Sequence, residues 1–302
     1  MIGIIILNYN TWEETLDCVD SIRKHNTLPY KVYIVDNDSK DASVLNLKRS
    51  FANADDVVLL INNENIGYSA GNNIGLRQAE KDNCEYAFIV NSDVEIMNDA
   101  FRIMVNTLRK DKSYMMIGPS VLDKNRRESQ CPRCLLTPSL FLYERHPLCL
   151  IPFFKKKANR IVETTENPTV FDGSVSGCCF GIRIQDFKRM DYFDEKVFLY
   201  YEEDILGYKM QSVGGRAVYE RDAIVMHKAN VSTNKEGNAF VQFHRWTSVL
   251  YMLKKYAHIS KMQQLGIAIW NIITWDVLSV FSREHRKIRR SFKDKNLTIV
   301  RE

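Results

Sequence analysis

The sequence predicts an α/β fold in which a mostly parallel central sheet is flanked by helices. In the first third of the chain, short apolar runs of strand length alternate with amphipathic stretches of helix length. The apolar runs are continuous, which is typical of strands buried on both faces. The runs end in or just before Asn or Asp, and parallel strands bring their carboxyl ends to one edge of a sheet. We therefore expect a ligand site along that edge.

The elements of this part can be placed in order. Four strands are predicted, at Ile2–Leu7, Lys31–Val35, Val57–Ile61 and Tyr86–Val90. The first helix would begin after Thr11, which forms a capping-box pattern with Glu14, and would end near Lys24. Further helices are predicted from Asp41, from the stretch after Asn65 to near Lys81, and from Asn98 to Leu108.

The strand ends supply the candidate binding residues. An edge lined by Asn8, Asp36, Asn72 and Asp93 suits a nucleotide. Asn91 and Asp93 lie two residues apart, so in an extended segment their side chains leave on the same side. One carboxylate and one amide oxygen suit a hard divalent cation, and a turn that only bonds its own backbone is the alternative. Asp36 fits a contact to a base or ribose, or else a helix N-cap.

Composition and motifs exclude several classes of protein. No Gly-x-Gly-x-x-Gly follows the first strand and no Gly-x-x-x-x-Gly-Lys-Ser/Thr occurs, which argues against dinucleotide and P-loop sites. The net charge of +5 is modest and provides no dedicated face for nucleic acid. The first apolar run is too short for a signal peptide, and seven Cys indicate reduced thiols in the cytoplasm. Cys131 and Cys134 lack the second pair that a zinc site of this spacing needs.

Later segments supply candidates for the chemical step. Small residues in Phe171–Arg183 would let backbone approach a ligand closely before a buried strand. Glu202, Glu203 and Asp204 follow an aromatic run, and three adjacent carboxylates should raise the pKa of at least one, which suits a general base. Acidic residues at a helix N-terminus are the alternative reading. His227 at a strand end fits a metal ligand, a diphosphate contact or a purely structural residue.

The middle of the chain is less regular. The alternation is lost from about Pro119 to Pro168, which predicts a long loop, either beside the acceptor site or as a surface excursion. Two strands and a helix are expected after it, at Arg216–Tyr219, Ala223–His227 and Phe240–Ala257.

The apolar stretch Leu265–Phe281 is interrupted by polar residues, and Asp276 would make a membrane crossing costly. Two Trp and a following basic cluster, Arg283–Arg290, favour a helix that lies in a membrane interface. A helix packed on its own protein, with a solvated basic tail, is the alternative.

Four blocks resemble the signature blocks of family 2 glycosyltransferases, and more narrowly those of rhamnosyltransferase-like members of bacterial surface-polysaccharide pathways. The blocks are Leu7-Asn8-Tyr9-Asn10, Val35-Asp36-Asn37-Asp38-Ser39, the stretch from Asn65 to Gly75, and Val90-Asn91-Ser92-Asp93. The resemblance implies a GT-A fold, a nucleoside-diphosphate sugar donor, and inversion at the anomeric carbon. The donor-binding residues it implies are Asn8, Asn10, Asp36, Gly71, Asn72 and Asn91.

The resemblance also implies the metal and the base. Asp93 would belong to the Asp-x-Asp-type motif that holds Mn²⁺ or Mg²⁺, although Asn91-Ser92-Asp93 keeps one carboxylate of two, and His227 matches a histidine that the family often has. A further block, Phe198-Leu199-Tyr200-Tyr201-Glu202-Glu203-Asp204, resembles the family's Phe-x-x-Tyr-x-Glu-Asp pattern. In that family the second acid of the pattern deprotonates the acceptor hydroxyl. Matching its Glu-Asp pair makes Asp204 the base, and matching register from the following helix makes it Glu203; the first match is favoured.

These patterns predict a GT-A catalytic domain at residues 1–230, with a nucleotide-sugar part at 1–118 and an acceptor part at 119–230. Residues 231–302 are expected to form a helical C-terminal region that associates with the inner face of the cytoplasmic membrane. The resemblance implies, as acceptor, a hydroxyl of a lipid-linked saccharide in surface-polysaccharide, O-antigen or capsule synthesis. A sugar-1-phosphate nucleotidyltransferase is one rival, but it would need a Gly-rich basic loop after the first strand. A non-catalytic sugar-binding module is the other, and it would have no use for the acidic run.

Overall fold

The computed structural model describes residues 1–130, 132–145, 160–228 and 237–302, apart from the side chains of 142–145. Cys131 and part of the expected loop, residues 146–159, lie outside the described residues. The chain forms two compact units. The first, here called the sheet unit, comprises Met1–Leu135, Arg160–Lys196 and Glu202–Ser232. The second, here called the helical unit, comprises Leu136–Asn159, Val197–Tyr201 and Thr233–Glu302.

The first part of the sheet unit alternates strands and helices as predicted. Its elements are β1 (Ile2–Asn8), α1 (Trp12–His25), β2 (Tyr30–Asp36), α2 (Ser43–Ser50), β3 (Val57–Ile61), α3 (Gly67–Lys81), β4 (Tyr86–Asn91), β5 (Val94–Ile96) and α4 (Ala100–Leu108). β1 pairs in parallel with β2 and β4, and β2 pairs in parallel with β3. The carboxyl ends of these strands therefore meet at one edge.

The chain continues with shorter elements and two longer strands. They are β6 (Tyr114–Leu122), β7 (Glu128–Gln130), β8 (Arg133–Cys134), α5 (Pro138–Arg145), β9 (Thr169–Phe171), β10 (Gly173–Ser174), β11 (Cys179–Arg183), α6 (Ile184–Arg189), α7 (Glu202–Ser212) and β12 (Arg216–His227). The strand order is β3-β2-β1-β4-β11-β6-β12-β5. β11 and β5 run opposite to the rest of this order. The predicted α/β fold with a mostly parallel sheet is confirmed.

Burial on both faces explains the continuous apolar strands. In β1, Ile4 and Ile6 pack into a core shared with α1 and α4, whereas Ile5 packs into a second core shared with α3. Successive side chains of a strand point to opposite faces, so a strand covered on both sides needs an apolar residue at every position.

The capping-box prediction at the first helix is wrong. Thr11 precedes α1, but its side chain makes no cap hydrogen bond. The Oγ1 atom of Thr11 instead donates to Oδ1 of Asn8 at 3.3 Å and lies 3.0 Å from Oγ of Ser92. The Thr11 hydroxyl thus links the end of β1 with the residue that follows β4, since the pairing of β1 with β4 brings Ser92 within its reach.

The predicted start of the long loop at Pro119 and the prediction of two short strands after the acidic helix are also wrong. β6 runs through Pro119. β12 is a single strand, and its register against β6 shifts between Glu220, which pairs with Pro119, and Ile224. Proline cannot donate to a ladder and is tolerated at such irregularities. Glu220 is buried there and accepts a 2.6 Å hydrogen bond from Thr107. Both strands contain polar residues, so neither forms the continuous apolar run by which the other strands were predicted.

Besides α5, the helical unit contains α8 (Asn238–Lys255), α9 (Lys261–Phe281), α10 (Arg283–Lys287) and α11 (Arg289–Arg301). Trp275 of α9 is fully buried, and its ring stacks on Phe292 with centroids 3.9 Å apart. Asp276 pairs with Arg289 at 2.7 Å and with Lys293 at 3.0 Å. By length and composition alone α9 could cross a membrane, and 33% of its most apolar window is buried within the protein.

Candidate functional site

The ends of β1 and β2 form a buried polar corner. Asn8 and Asp36 are both 0% exposed, and Nδ2 of Asn8 donates to Oδ2 of Asp36 at 2.7 Å. Asp36 also accepts from the backbone N–H and the hydroxyl of Ser39. Asn10 is more accessible, has a left-handed backbone at φ 56°, and its Oδ1 accepts from the N–H of Lys40 at 2.7 Å. Asn8 and Asp36 therefore form the buried part of this corner, while Asn10 is its partly exposed residue.

The first turns of α3 hold two further predicted donor residues. A Cβ on Gly71 would lie 2.5 Å from the side chain of Leu7, so close packing on β1 by itself accounts for this glycine. Asn72 is 0% exposed and donates to the carbonyl of Tyr68 at 2.9 Å. Within the described part of the chain, Oδ1 of Asn72 and Oγ of Ser69 are buried without a hydrogen-bond partner. The donor roles of Gly71 and Asn72 stay predictions.

Tyr68 connects the end of β4 with the segment before β11. Its hydroxyl donates to the carbonyl oxygen of Gly177 at 2.9 Å and to Oδ1 of Asn91 at 3.4 Å. Burial raises the pKa of the Tyr68 phenol well above its ordinary value, with smaller contributions from the charges of Glu202 and Glu203. Tyr68 thus stays a neutral donor, and it brings two segments far apart in the chain into one site.

Strand pairing brings Asp93 and His227 together. β12 pairs antiparallel with β5, with His227 opposite Val94, and the carbonyl of Asp93 accepts from the N–H of Lys228 at 3.0 Å. As a result, Oδ1 of Asp93 lies 3.0 Å from Nε2 of His227. The two residues that the sequence nominates as metal ligands are therefore neighbours, and their role as ligands stays a prediction.

The spacing of this pair fits a divalent cation. An octahedral ion with ligands at about 2.1 Å has adjacent ligand atoms about 3.0 Å apart, and the Asp93 and His227 atoms have that spacing. Among the described residues no cluster of three or more His, Cys, Asp or Glu side chains is placed to hold a metal. With two protein ligands, a six-coordinate cation has further positions for phosphate oxygens or water.

A polar relay continues from the other side of the imidazole. Nε2 of Gln130 lies 2.8 Å from Nδ1 of His227, and the hydroxyl of Ser176 donates to Oε1 of Gln130. Ser176 in turn lies 3.2 Å from Sγ of Cys178. His227 is thus held on both ring nitrogens, by Asp93 on one side and by Gln130 on the other.

The acidic run begins α7 and its members have different surroundings. Asp204 forms an ion pair with Arg160, and these side chains are 7% and 8% exposed. Glu203 is less buried, and a Cβ on Gly177 would lie 3.3 Å from its Oε1 atom. Burial raises the pKa of the Glu203 carboxyl, and the charge of Asp204 raises it further. The raised pKa of Glu203 thus comes first from burial and only second from the neighbouring charge of Asp204.

The backbone just before α7 is unusual. Tyr200 and Tyr201 both have left-handed backbone, with φ 74° and 70°. Bulky residues rarely adopt this conformation, and where they do it often marks a functional site. The helix that carries the acidic run is therefore entered through a constrained segment.

Several site residues escaped the sequence analysis. Tyr68 lies inside a quoted block, and its position beside the Gly-rich stretch could have suggested a role. Gln130 and Arg160 carry no motif, and Ser176 and Gly177 were noted only as part of the small-residue stretch Phe171–Arg183. The contacts of all four join residues that are 44 to 109 positions apart in the sequence.

Comparison with solved structures supports the fold. The matches include a GalNAc-T7 crystallised with UDP, GalNAc and Mn²⁺, with a TM-score of 0.61, 14% identity, and coverage of 84% of this chain and 47% of that one. A mannosyltransferase from Pyrobaculum calidifontis, in complex with GDP-Man and Mn²⁺, has a TM-score of 0.56, 14% identity, and coverage of 99% and 84%. At such low identity these matches show the shared GT-A fold.

Comparison with curated proteins and family models supplies the family. A hexosyltransferase of low-salt glycan biosynthesis, Agl10 of Haloferax volcanii, is 26% identical over 206 residues, which are 67% of this chain and 59% of that protein. An N-acetylglucosaminyl-diphospho-decaprenol L-rhamnosyltransferase of Mycobacterium tuberculosis is 24% identical over 243 residues, 76% of each chain. The model of glycosyl transferase family 2 matches residues 3–188, more than half of the chain. The protein therefore belongs to glycosyltransferase family 2.

Proposed function

We propose that this glycosyltransferase inverts the anomeric carbon as it moves a sugar from a nucleoside diphosphate to a hydroxyl of a lipid-linked saccharide. One observation carries the proposal: the carboxylate of Glu203 lies beside Gly177, whose carbonyl oxygen is hydrogen-bonded to Tyr68 next to the end of β4. The carbonyl oxygen of Gly177 accepts from the hydroxyl of Tyr68 at 2.9 Å, and that hydroxyl lies 3.4 Å from Oδ1 of Asn91, two residues before Asp93. Inversion by direct displacement needs such a base together with a site that holds the leaving diphosphate.

The donor side is built on the strand ends. The nucleoside would lie at the corner of Asn8, Asn10 and Asp36, with Asp36 acting through the turn that it holds. The diphosphate would lie towards Asn91, at the end of β4. The GalNAc-T7 and mannosyltransferase structures each contain a nucleotide and Mn²⁺, which supports a nucleotide-sugar donor here.

Asp93 and His227 would hold the cation. A bound Mn²⁺ or Mg²⁺ supplies charge stabilisation to the departing diphosphate. A carboxylate with an imidazole suits a first-row transition ion better than Mg²⁺, which prefers oxygen ligands. We therefore propose Mn²⁺ as the preferred ion, with the negative charge supplied by Asp93.

Glu203 is proposed as the base in place of Asp204, which the match of the Glu-Asp pair favoured. Asp204 is closed off from solvent and engaged by Arg160, so accepting a proton from substrate would first require that ion pair to open. Glu203 lies beside Gly177, where the absence of a side chain leaves room at its carboxylate. We propose that Asp204 and Arg160 position the first turn of α7, while Glu203 takes the proton of the acceptor hydroxyl.

The membrane part of the proposal concerns α9. Its polar and aromatic side packs inward, through Gln264, Ala268, Asn271, Trp275 and Ser279. The opposite side is apolar and 44–86% exposed, at Met262, Leu265, Ile269, Trp270, Ile273, Val277, Val280 and Phe281. These positions recur at helical spacing and form one continuous face, which we call the α9 apolar face. A patch of this kind marks an interaction surface.

The chemistry of the neighbouring residues fits an anionic bilayer. Arg283, Arg286, Lys287 and Arg290 follow α9 directly, and basic residues next to an apolar helix face favour anionic lipid surfaces. The name of the mycobacterial relative includes a decaprenol-linked sugar, and a lipid-linked acceptor would be reached at such a surface. We propose that residues 231–302 hold residues 1–230, as the catalytic domain, at the inner face of the cytoplasmic membrane.

Replacing both Ile273 and Val277 with Glu in one variant should abolish flotation of the protein with anionic vesicles. Both side chains are 54% exposed, so the fold should tolerate the change, whereas charge on this face opposes insertion into lipid. High salt should weaken flotation of the unmodified protein without abolishing it, because apolar burial persists when charges are screened.

The matched control for this experiment replaces Leu45 and Ile61 with Glu. These residues are 53% and 42% exposed in the sheet unit, so they test the same chemical change on another surface. The control variant should float like the unmodified protein. Equal flotation of both variants, or no flotation of any of them, would mean that the α9 apolar face does not bind membranes.

The donor assignment is tested by screening purified protein against a panel of nucleotide sugars. One donor should give release of nucleoside diphosphate that rises on addition of a prenyl-diphosphate saccharide and falls on removal of divalent cation. Release of inorganic pyrophosphate from a sugar 1-phosphate and a nucleoside triphosphate would instead point to nucleotidyl transfer. Binding of a donor with no turnover under any acceptor would favour a binding module.

A further inference from the structure

The relay that ends on His227 has a feature that the donor site alone does not explain. The imidazole contacts Oδ1 of Asp93 through Nε2, at 3.0 Å, and Nε2 of Gln130 through Nδ1, at 2.8 Å. Asp93 is an acceptor, whereas an amide group can donate through its nitrogen or accept through its oxygen. The orientation of the Gln130 amide therefore decides which ring nitrogen carries the proton.

In the observed arrangement the amide nitrogen of Gln130 faces the ring. The tautomer that matches this orientation has Nδ1 of His227 accept from Gln130 and Nε2–H donate to Asp93. A ring in this tautomer has no lone pair on Nε2 for a cation. The hydrogen bond between Asp93 and His227 and the binding of a metal by both residues are therefore alternatives.

Rotating the amide of Gln130 by half a turn reverses the relay. Its carbonyl oxygen would then accept from Nδ1–H of His227, and Nε2 would turn its lone pair towards Asp93. The hydroxyl of Ser176, which now donates to Gln130, can accept from the amide nitrogen just as well. Because the amide oxygen and nitrogen are nearly equal in size, the exchange needs no other side chain to move.

We propose that Gln130 is a positioning residue that switches the tautomer of His227 and so allows the Asp93–His227 pair to bind a divalent cation. The proposal rests on the metal site of the proposed function and adds the residue that controls it. Outer-shell partners of metal-bound histidines fix the tautomer, and their loss typically lowers metal affinity 10–100-fold.

Two substitutions at Gln130 should have opposite effects. Gln130→Met keeps the length of the side chain but removes both polar atoms, so Mn²⁺ should bind roughly 10–100-fold more weakly. Gln130→Glu provides only acceptors, which favours the proton on Nδ1 of His227, so Mn²⁺ should bind at least as tightly as in the unmodified protein. The matched controls are Gln211→Met and Gln211→Glu, at an exposed position of α7, and neither should alter affinity.

Two measurements on the full-length protein test the proposal. Titration with Mn²⁺ alone, followed by the electron paramagnetic resonance signal of the free ion, gives the affinities. Nitrogen-15 NMR of histidine-labelled, metal-free protein gives the tautomer, with the His227 signals assigned by their loss in His227→Gln. The unmodified protein should show the proton on Nε2, and Gln130→Glu should show it on Nδ1.

The two readouts separate this proposal from the metal site itself. If the unmodified protein binds Mn²⁺ and Gln130→Met binds it equally well, the switch is overturned while the metal site stands. If the unmodified protein and its His227→Gln variant bind no Mn²⁺, both are overturned. If His227 carries its proton on the same nitrogen in the unmodified protein and in Gln130→Glu, Gln130 does not set the tautomer.

Discussion

Replacing Glu203 with Gln is expected to lower turnover by roughly 10²–10⁴-fold, with donor binding nearly unchanged. The amide keeps the shape of the side chain beside Gly177 but cannot accept the proton of the acceptor hydroxyl. Steady-state kinetics with a saturating donor, together with a nucleotide-binding measurement, check both parts. Because burial and Asp204 raise the pKa of Glu203, the activity of the unmodified protein should fall as the pH falls through that raised pKa. The variant should lack this acidic limb.

Asp204→Asn is the comparison for that experiment. It removes the charge that faces Arg160 in a buried ion pair, so it should destabilise the fold by about 3–5 kcal/mol. Thermal unfolding would reveal that loss, and Glu203→Gln should show much less of it. If Asp204→Asn instead loses turnover at full stability while Glu203→Gln keeps it, the base is Asp204, as the match of the Glu-Asp pair indicates.

Replacing Asp93 with Asn should abolish transfer while leaving the fold intact. Asn keeps the volume and still offers an oxygen to His227, but it removes the negative charge that would hold the cation at the diphosphate. Excess chelator should have the same effect on the unmodified protein, and added Mn²⁺ should restore only the latter. Transfer assays with and without cation, alongside circular dichroism, provide the measurement.

Asp55→Asn provides the control for the metal experiment, since it makes the same change at an exposed position of the sheet unit. Its activity and its response to chelator should match those of the unmodified protein. Full activity of the unmodified protein in excess chelator would remove the metal from the mechanism, and Asp93 would then be a structural partner of His227.

The parallel half of the sheet could be predicted because strands buried on both faces have an apolar residue at nearly every position. β1 and β4 are continuous apolar runs, and both were found at nearly their observed bounds. β6 was missed because Gly118, Pro119 and Ser120 interrupt it. β12 appeared as two strands because Glu220 to Asp222 interrupt it, and the burial of Glu220 depends on Thr107, far away in the sequence.

The site shows the same limit more sharply. Asp93 and His227 could each be nominated from a strand end, but their contact spans 134 residues and arises only from the pairing of β5 with β12. The choice between Glu203 and Asp204 depends on which side of α7 faces Gly177 and which faces Arg160. Adjacent residues on a helix point in different directions, so a shift of one residue in the motif match exchanges one carboxylate for the other.

The most direct test of the central claim is the anomeric configuration of the transferred sugar. Proton NMR of the product, formed from the donor that the panel identifies, reports this configuration through its anomeric coupling or carbon shift. Direct displacement with Glu203 as base predicts a configuration opposite to that in the nucleotide sugar. Retention of the donor configuration would contradict a single displacement and the base assigned to Glu203.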